Sequence, residues 1–205
     1  MPQDALEQAL VDLNVVYIPK TLNPGPAFAF PVFDALEELR QLQIRVTNPE
    51  EWGGIRYLAA VNPSEFVGPV WFGLDDRTIA AAMQHKAVVL VEGPFDLLAV
   101  RVCCPDIPSL TTLTKKLTPD HLTTLSLLGV TTIYPMFDHE KSEVGGLAAQ
   151  ILAAKASGFH VIPLVCPAKD PAEALKYPVK TLDLQTLLGR ITKPITVDTA
   201  SNPLD

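Results

Sequence analysis

Apolar residues in the first half of the chain come in short bursts separated by prolines and other turn formers. Val15-Val16-Tyr17-Ile18 and Phe28-Ala29-Phe30-Pro31-Val32-Phe33 predict two strands, with Asn23-Pro24-Gly25-Pro26 as the turn between them. Residues 34–46 (DALEELRQLQIRV) fit two patterns at once: the apolar spacing suits a helix, and the flanking residues suit a hairpin. Asp75 or Asp76 predicts the cap of a helix that runs to about His85.

From residue 86 the rhythm changes. Ala87-Val88-Val89-Leu90-Val91 is a nearly pure apolar run that stops at Glu92-Gly93, and an apolar helical stretch, Phe95 to Val102, follows it. A second strand is expected over Ser109–Thr112. Thr118-Pro119-Asp120 then opens a helix, with Thr118 at the N-cap and Pro119 at the first helical position. Thr131–Phe137 reads as a strand ending at Asp138, residues 145–157 as a helix closed by Gly158, and His160–Val165 as a further strand. Strands alternating with helices predict an α/β fold, a parallel sheet with helices on its faces, preceded by a smaller mixed α+β region. A helix around Leu182–Arg190 and a polar tail complete the chain.

Composition narrows the class. With 48% hydrophobic residues the chain can fill a core, and with 16 basic against 23 acidic side chains it carries a net charge of −7. The acid is concentrated in residues 1–80, where eleven acidic side chains meet five basic ones. That sign argues against tight binding led by phosphate contacts. No apolar run reaches a membrane span, and the N-terminus has no basic signal region, so a soluble cytoplasmic protein without a membrane partner is expected. Cys103, Cys104 and Cys166 contain no C-x-x-C, so neither a zinc ribbon nor a disulfide framework is expected of them. Cys103-Cys104, Trp52 and Trp71 read as packing residues, with base stacking as the alternative for the two tryptophans.

In an open parallel sheet the chemistry gathers beyond the carboxyl ends of the strands. Three such ends carry acids here: Glu92 with Asp96 one helical turn on, Asp138 with Glu140, and Asp170 after Cys166-Pro167-Ala168-Lys169. Converging carboxylates repel unless a cation lies among them, and oxygen-only donors suit Mg²⁺ or Mn²⁺. Glu92-Gly93 also reads as a plain strand-to-helix turn and Asp138 as a helix cap, and His139 reads as a solvated loop side chain, with a phosphate contact as the alternative.

VVLVEGPFDLLAVR, followed about 45 residues later by IYPMFDHE, resembles the Toprim domain shared by primases, topoisomerases and some nucleases. Within that superfamily the chain is most similar to the catalytic core of bacterial and phage DnaG-type primases. LTPDHLTTL, Lys169-Asp170-Pro171-Ala172-Glu173, Arg56-Tyr57-Leu58 with Asn62-Pro63, and Trp71-Phe72-Gly73-Leu74 all resemble stretches of that core. The resemblance covers roughly residues 15–178. It implies an N-terminal subdomain over 1–85, a Toprim domain over 86–178 and a C-terminal helix and tail over 179–205.

The implied activity is metal-dependent synthesis of RNA primers from ribonucleoside triphosphates on a single-stranded DNA template. Glu92, Asp138 and Glu140 would be catalytic, and with Asp170 would hold Mg²⁺ or Mn²⁺. Asp96 and Lys169 would support them, while Arg56, Tyr57, Lys115 and Lys116 would meet nucleic acid or nucleotide. A replicative helicase or a separate zinc-binding, template-recognising subunit is the implied protein partner, because the sequence holds neither a zinc module nor a G-x-x-x-x-G-K-[ST] loop.

The chain departs from the family pattern at several points. Glu140 stands where the family has aspartate, Ala172 where it has an acid, Arg56 where it has lysine, and Thr114-Lys115-Lys116 where it has small residues. Two other readings therefore stay open: a small Toprim nuclease, and a non-catalytic subunit of a replication complex.

Overall fold

Among the described residues, two four-stranded sheets meet at a shared apolar cluster. The computed structural model describes residues 3–22, 25–33, 39–59, 71–113, 117–137, 151 and 153–191. Helix α1 (Gln3–Asp12) leads into an antiparallel sheet with the order β1 (Val16–Ile18), β2 (Ala27–Phe33), β3 (Leu39–Val46) and β4 (Tyr57–Ala59). The ambiguous 34–46 stretch is therefore a strand from Leu39 onward, in register with β2 from Ala27↔Val46 to Phe33↔Leu39. Pairing with a partner strand has overridden local helical spacing. Pro31 sits in β2 beyond the three residues that β1 pairs, Ala27 to Ala29, where an absent N–H takes nothing from that ladder.

The second sheet is parallel. After α2 (Asp76–His85) come β5 (Ala87–Val91), α3 (Pro94–Cys103), β6 (Ser109–Thr111), α4 (Pro119–Leu127), β7 (Thr132–Met136) and β8 (His160–Val161), in the spatial order β6-β5-β7-β8. All five residues of β5 are buried, as a central strand covered on both faces requires. The last strand is shorter than the sequence suggests, although Ile162 and Leu164 still donate their N–H groups to Ile133 and Pro135. The caps follow the sequence: Asp75 accepts from the Thr78 N–H at 2.7 Å, and Thr118 caps α4 with Pro119 behind it. The closing helix starts earlier than expected, at Pro178–Leu188. Among the described residues no helix is long and apolar enough to cross a membrane.

Alternation along β5 sorts the core. Val88 and Leu90 pack with Trp71, Leu122, Leu125 and Ile133 on one face, while Val89 and Val91 pack with Leu97, Phe72, Phe30 and Val32 on the other. Phe30 and Val32 belong to the antiparallel sheet, so the core runs across residue 85 and fixes one sheet against the other. Edge-on ring contacts of Phe30 with Phe72 (5.6 Å) and Phe95 (5.2 Å) form this joint.

Gly73 lies at a tight point of that joint. Its φ is +89°, and a Cβ there would sit 2.6 Å from Leu97 Cδ2 and 3.3 Å from the Ser109 carbonyl. Gly73→Ala is expected to lower stability by about 1–3 kcal/mol through strain and overpacking, read as a drop in the thermal midpoint.

Candidate active site

The parallel sheet creates a crevice by its own topology. The chain leaves β5 towards β6 on one side and returns to β7 on the other, so the connections diverge at the carboxyl ends of β5 and β7. The rim is level there, because Val91 is in register with both Thr111 and Met136. Glu92 is the first residue beyond Val91. Its main-chain carbonyl accepts a 2.8 Å hydrogen bond from the Thr111 hydroxyl, which pins the strand-to-helix turn to β6.

Asp96 holds the next part of the rim. As the third residue of α3 it accepts the Gly93 N–H on Oδ2 (3.1 Å), closing a cap at the N-terminus of α3. Its Oδ1 accepts the Ala172 N–H at 3.3 Å, from the short helical turn Pro171–Ala174. One carboxylate thus ties together two chain segments 76 residues apart. Asp170 caps that same turn, accepting the Glu173 N–H at 2.6 Å, and Glu173 accepts the Lys169 N–H at 3.1 Å. Ala172 contributes its backbone N–H to this clamp.

The antiparallel sheet supplies the opposite wall. Tyr57 on β4 carries the Arg45 guanidinium over its ring at 4.6 Å, and the two are direct cross-strand partners. Burial of the hydroxyl end raises the Tyr57 pKa above its ordinary value. Arg45 pulls it down, while the carboxylates of Asp96 and Glu92 push it up. That influence puts the phenol in the field of the α3 rim, even though 40% of the residue stays exposed.

The structure therefore brings Glu92, Asp96, Asp170, Lys169 and Tyr57 to one region. Arg56 is exposed and directly precedes β4. The cation at Tyr57 is Arg45, which the sequence did not single out because 34–46 was left open between helix and hairpin. Asp138 follows β7 by two residues in the sequence, but Asp138, His139, Glu140, Lys115 and Lys116 all lie outside the described residues. Among the described residues no group of three or more His, Cys, Asp or Glu side chains could hold a metal ion. The described carboxylates serve largely as backbone acceptors, so a cation site needs donors beyond them.

The remaining singled-out residues pack. Trp71 is 2% exposed and meets the buried His121 ring edge-on at 4.6 Å, and Trp52 covers the small cluster of Ala27, Ala29, Ile44 and Val46. Burial pushes the Cys103 thiol up to about 12, which keeps it protonated and unreactive.

No protein-family model matches the sequence, and no curated protein matches it either. Solved structures do. The fold is similar to the Aquifex aeolicus primase (zinc-binding and RNA polymerase domains), with a TM-score of 0.69 and 18% identity, over 92% of this chain and 56% of that one. It is similar to the RNA polymerase domain of Mycobacterium tuberculosis primase DnaG, with a TM-score of 0.67 and 15% identity, over 90% and 62%. The E. coli primase catalytic core matches with a TM-score of 0.58 and 16% identity, over 90% and 59%. The chain thus has the fold of DnaG-type primase catalytic cores and spans somewhat more than half the length of these structures.

Proposed function

We propose that this chain is a primase-type catalytic core, a nucleotidyltransferase that joins ribonucleotides into short RNA primers on single-stranded DNA. One observation carries the reading: Glu92 stands at the switch point of the parallel sheet in a chain whose fold is similar to one primase structure over 92% of its length. One of the similar structures, a DnaG primase catalytic domain, is bound to single-stranded DNA.

Phosphoryl transfer asks a protein chiefly for positioning and charge neutralisation. Glu92 would supply charge at the rim, with Asp138 and Glu140 joining it from the segment after β7. Mg²⁺ or Mn²⁺ held by these three would neutralise the triphosphate and favour the ionised form of the attacking hydroxyl. Asp96 and Asp170 act as positioning residues: their bonds to backbone N–H groups hold the Glu92 turn and the 169–173 segment against each other. A zinc-binding or helicase partner would select and deliver template.

A second reading, a non-catalytic subunit that keeps the fold, is favoured by the same clamp. It uses Asp96 and Asp170 as caps and has Ala172 in place of an acid. Labelled ribonucleoside triphosphates, single-stranded template and millimolar Mg²⁺ or Mn²⁺ separate the two. Short RNA products that vanish on chelation are expected. No product, together with no Mn²⁺ binding by calorimetry, overturns the catalytic reading.

A further inference from the structure

Glu92 and Gly93 share a peptide unit that is gripped from both sides. Its carbonyl accepts the Thr111 hydroxyl at 2.8 Å, and its N–H donates to Asp96 Oδ2 at 3.1 Å. The two groups point in opposite directions from one planar unit, so a bond on each fixes the plane. The sheet already holds the chain up to Val91, in register with Thr111 on one side and Met136 on the other. With this plane fixed as well, the Glu92 backbone is set on both sides of its Cα, and so is the direction of its Cα–Cβ bond.

Thr111 is wholly buried at the end of β6, and each of its polar groups is engaged. Its N–H donates to the Phe72 carbonyl at 3.1 Å, and its carbonyl accepts the Phe72 N–H at 2.9 Å. The hydroxyl gives its hydrogen to Glu92 and accepts the Leu113 N–H at 3.1 Å. Leu113 stands at φ +55°, a left-handed conformation that a leucine keeps only where its surroundings hold it. One hydroxyl thus fastens the exits of β5 and β6 to each other. Phe72 also packs edge-on against Phe30, which refers the position of the Glu92 turn to the antiparallel sheet.

We propose that Thr111 is a positioning residue for the reaction: its hydroxyl fixes the backbone from which the Glu92 carboxylate is presented to the reacting groups. The proposal rests on the primase-type reading for what that reaction is. Thr111 touches no substrate and acts only through Glu92. The position needs a hydroxyl, because one buried atom must donate to Glu92 and accept from Leu113 at once. Valine has the shape of threonine and can do neither, whereas serine can do both with one methyl fewer. Without Thr111 the Glu92–Gly93 peptide keeps a single tether, to Asp96, and can swing about it.

The test compares Thr111→Val and Thr111→Ser in the full chain. Thr111→Val should lower kcat for primer synthesis about 10- to 100-fold, the scale of a small misplacement of a reacting group, with KM within about threefold of wild type. Thr111→Ser should bring kcat back to within about threefold. The second readout is residue-resolved amide hydrogen exchange of the chain alone. In Thr111→Val the Gly93 and Leu113 amides should exchange at least about tenfold faster, the scale of one lost hydrogen bond, while Val89 and Leu90 keep their protection and Thr111→Ser matches wild type. A valine variant with wild-type kcat, a loss that serine does not recover, or faster exchange along all of β5 would each overturn the positioning role. The two readings fail separately. Wild-type synthesis beside an unaffected valine variant removes the positioning role and keeps the polymerase. A wild type that makes no primers removes the polymerase, and the exchange pattern still decides whether this hydroxyl holds the Glu92 turn.

Discussion

If the chain makes primers as proposed, Glu92→Gln is expected to lower the rate at least about a hundredfold, the scale of losing one preorganised charged group at a reacting phosphate. The change is close to isosteric, and the observed anchor of this turn is the Glu92 main-chain carbonyl, which keeps its bond from Thr111. Thermal midpoint and oligonucleotide affinity should therefore move little while turnover collapses. The loss should appear in kcat rather than KM, because the carboxylate acts on charge that develops during transfer. Calorimetry on the same variant should show weakened Mn²⁺ binding. If the variant makes primers within about threefold of wild type, Glu92 is only a turn residue and the polymerase assignment falls with it.

How much of this was legible beforehand depends on how local each cause is. Glu92 could be read from the sequence because a five-residue apolar run, a Glu-Gly stop and an apolar helix lie side by side. Thr118-Pro119 announced α4 for the same reason, since a cap and an N1 proline are neighbours in the chain. The strand β3 could not be read this way. Its residues also satisfy helical spacing, and what decides the matter is a ladder to β2 that exists only after folding. With 34–46 left open between helix and hairpin, the pairing of β3 with β4 and the Arg45–Tyr57 contact could not be read. The dual engagement of Asp96 was hidden too, because the Ala172 N–H arrives from 76 residues away.

Arg101 is the residue whose loss should cost the fold most. It was unremarkable in the sequence, a cation late in an apolar helix, yet its side chain is only 4% exposed. Nε donates to the Ser109 hydroxyl at 3.1 Å, and one terminal nitrogen donates to the Gly73 carbonyl at 3.0 Å, to Asp75 Oδ2 at 3.1 Å and to the Thr78 hydroxyl. Burial pulls its pKa down and Asp75 partly restores it, so the charge is held in place by its partners. These contacts fasten the 71–75 segment to α3 and β6. The same segment pairs with β6 through Phe72 and Thr111, and the Thr111 hydroxyl reaches the Glu92 carbonyl. Arg101→Met keeps much of the volume but leaves an aspartate, a hydroxyl pair and a carbonyl without their common donor. Stability should fall by about 3–5 kcal/mol, a midpoint drop on the order of 10 °C for a chain of this size. Arg101→Lys should lie between, since one ammonium cannot reproduce a fork that serves four acceptors. Arg77 provides the contrast: its pairs with Asp12 and Asp106 are solvent-exposed, so Arg77→Ala should cost no more than about 1 kcal/mol. Equal midpoints for Arg101→Met and Arg77→Ala would show that the buried guanidinium is not what joins this segment to the rim of the parallel sheet.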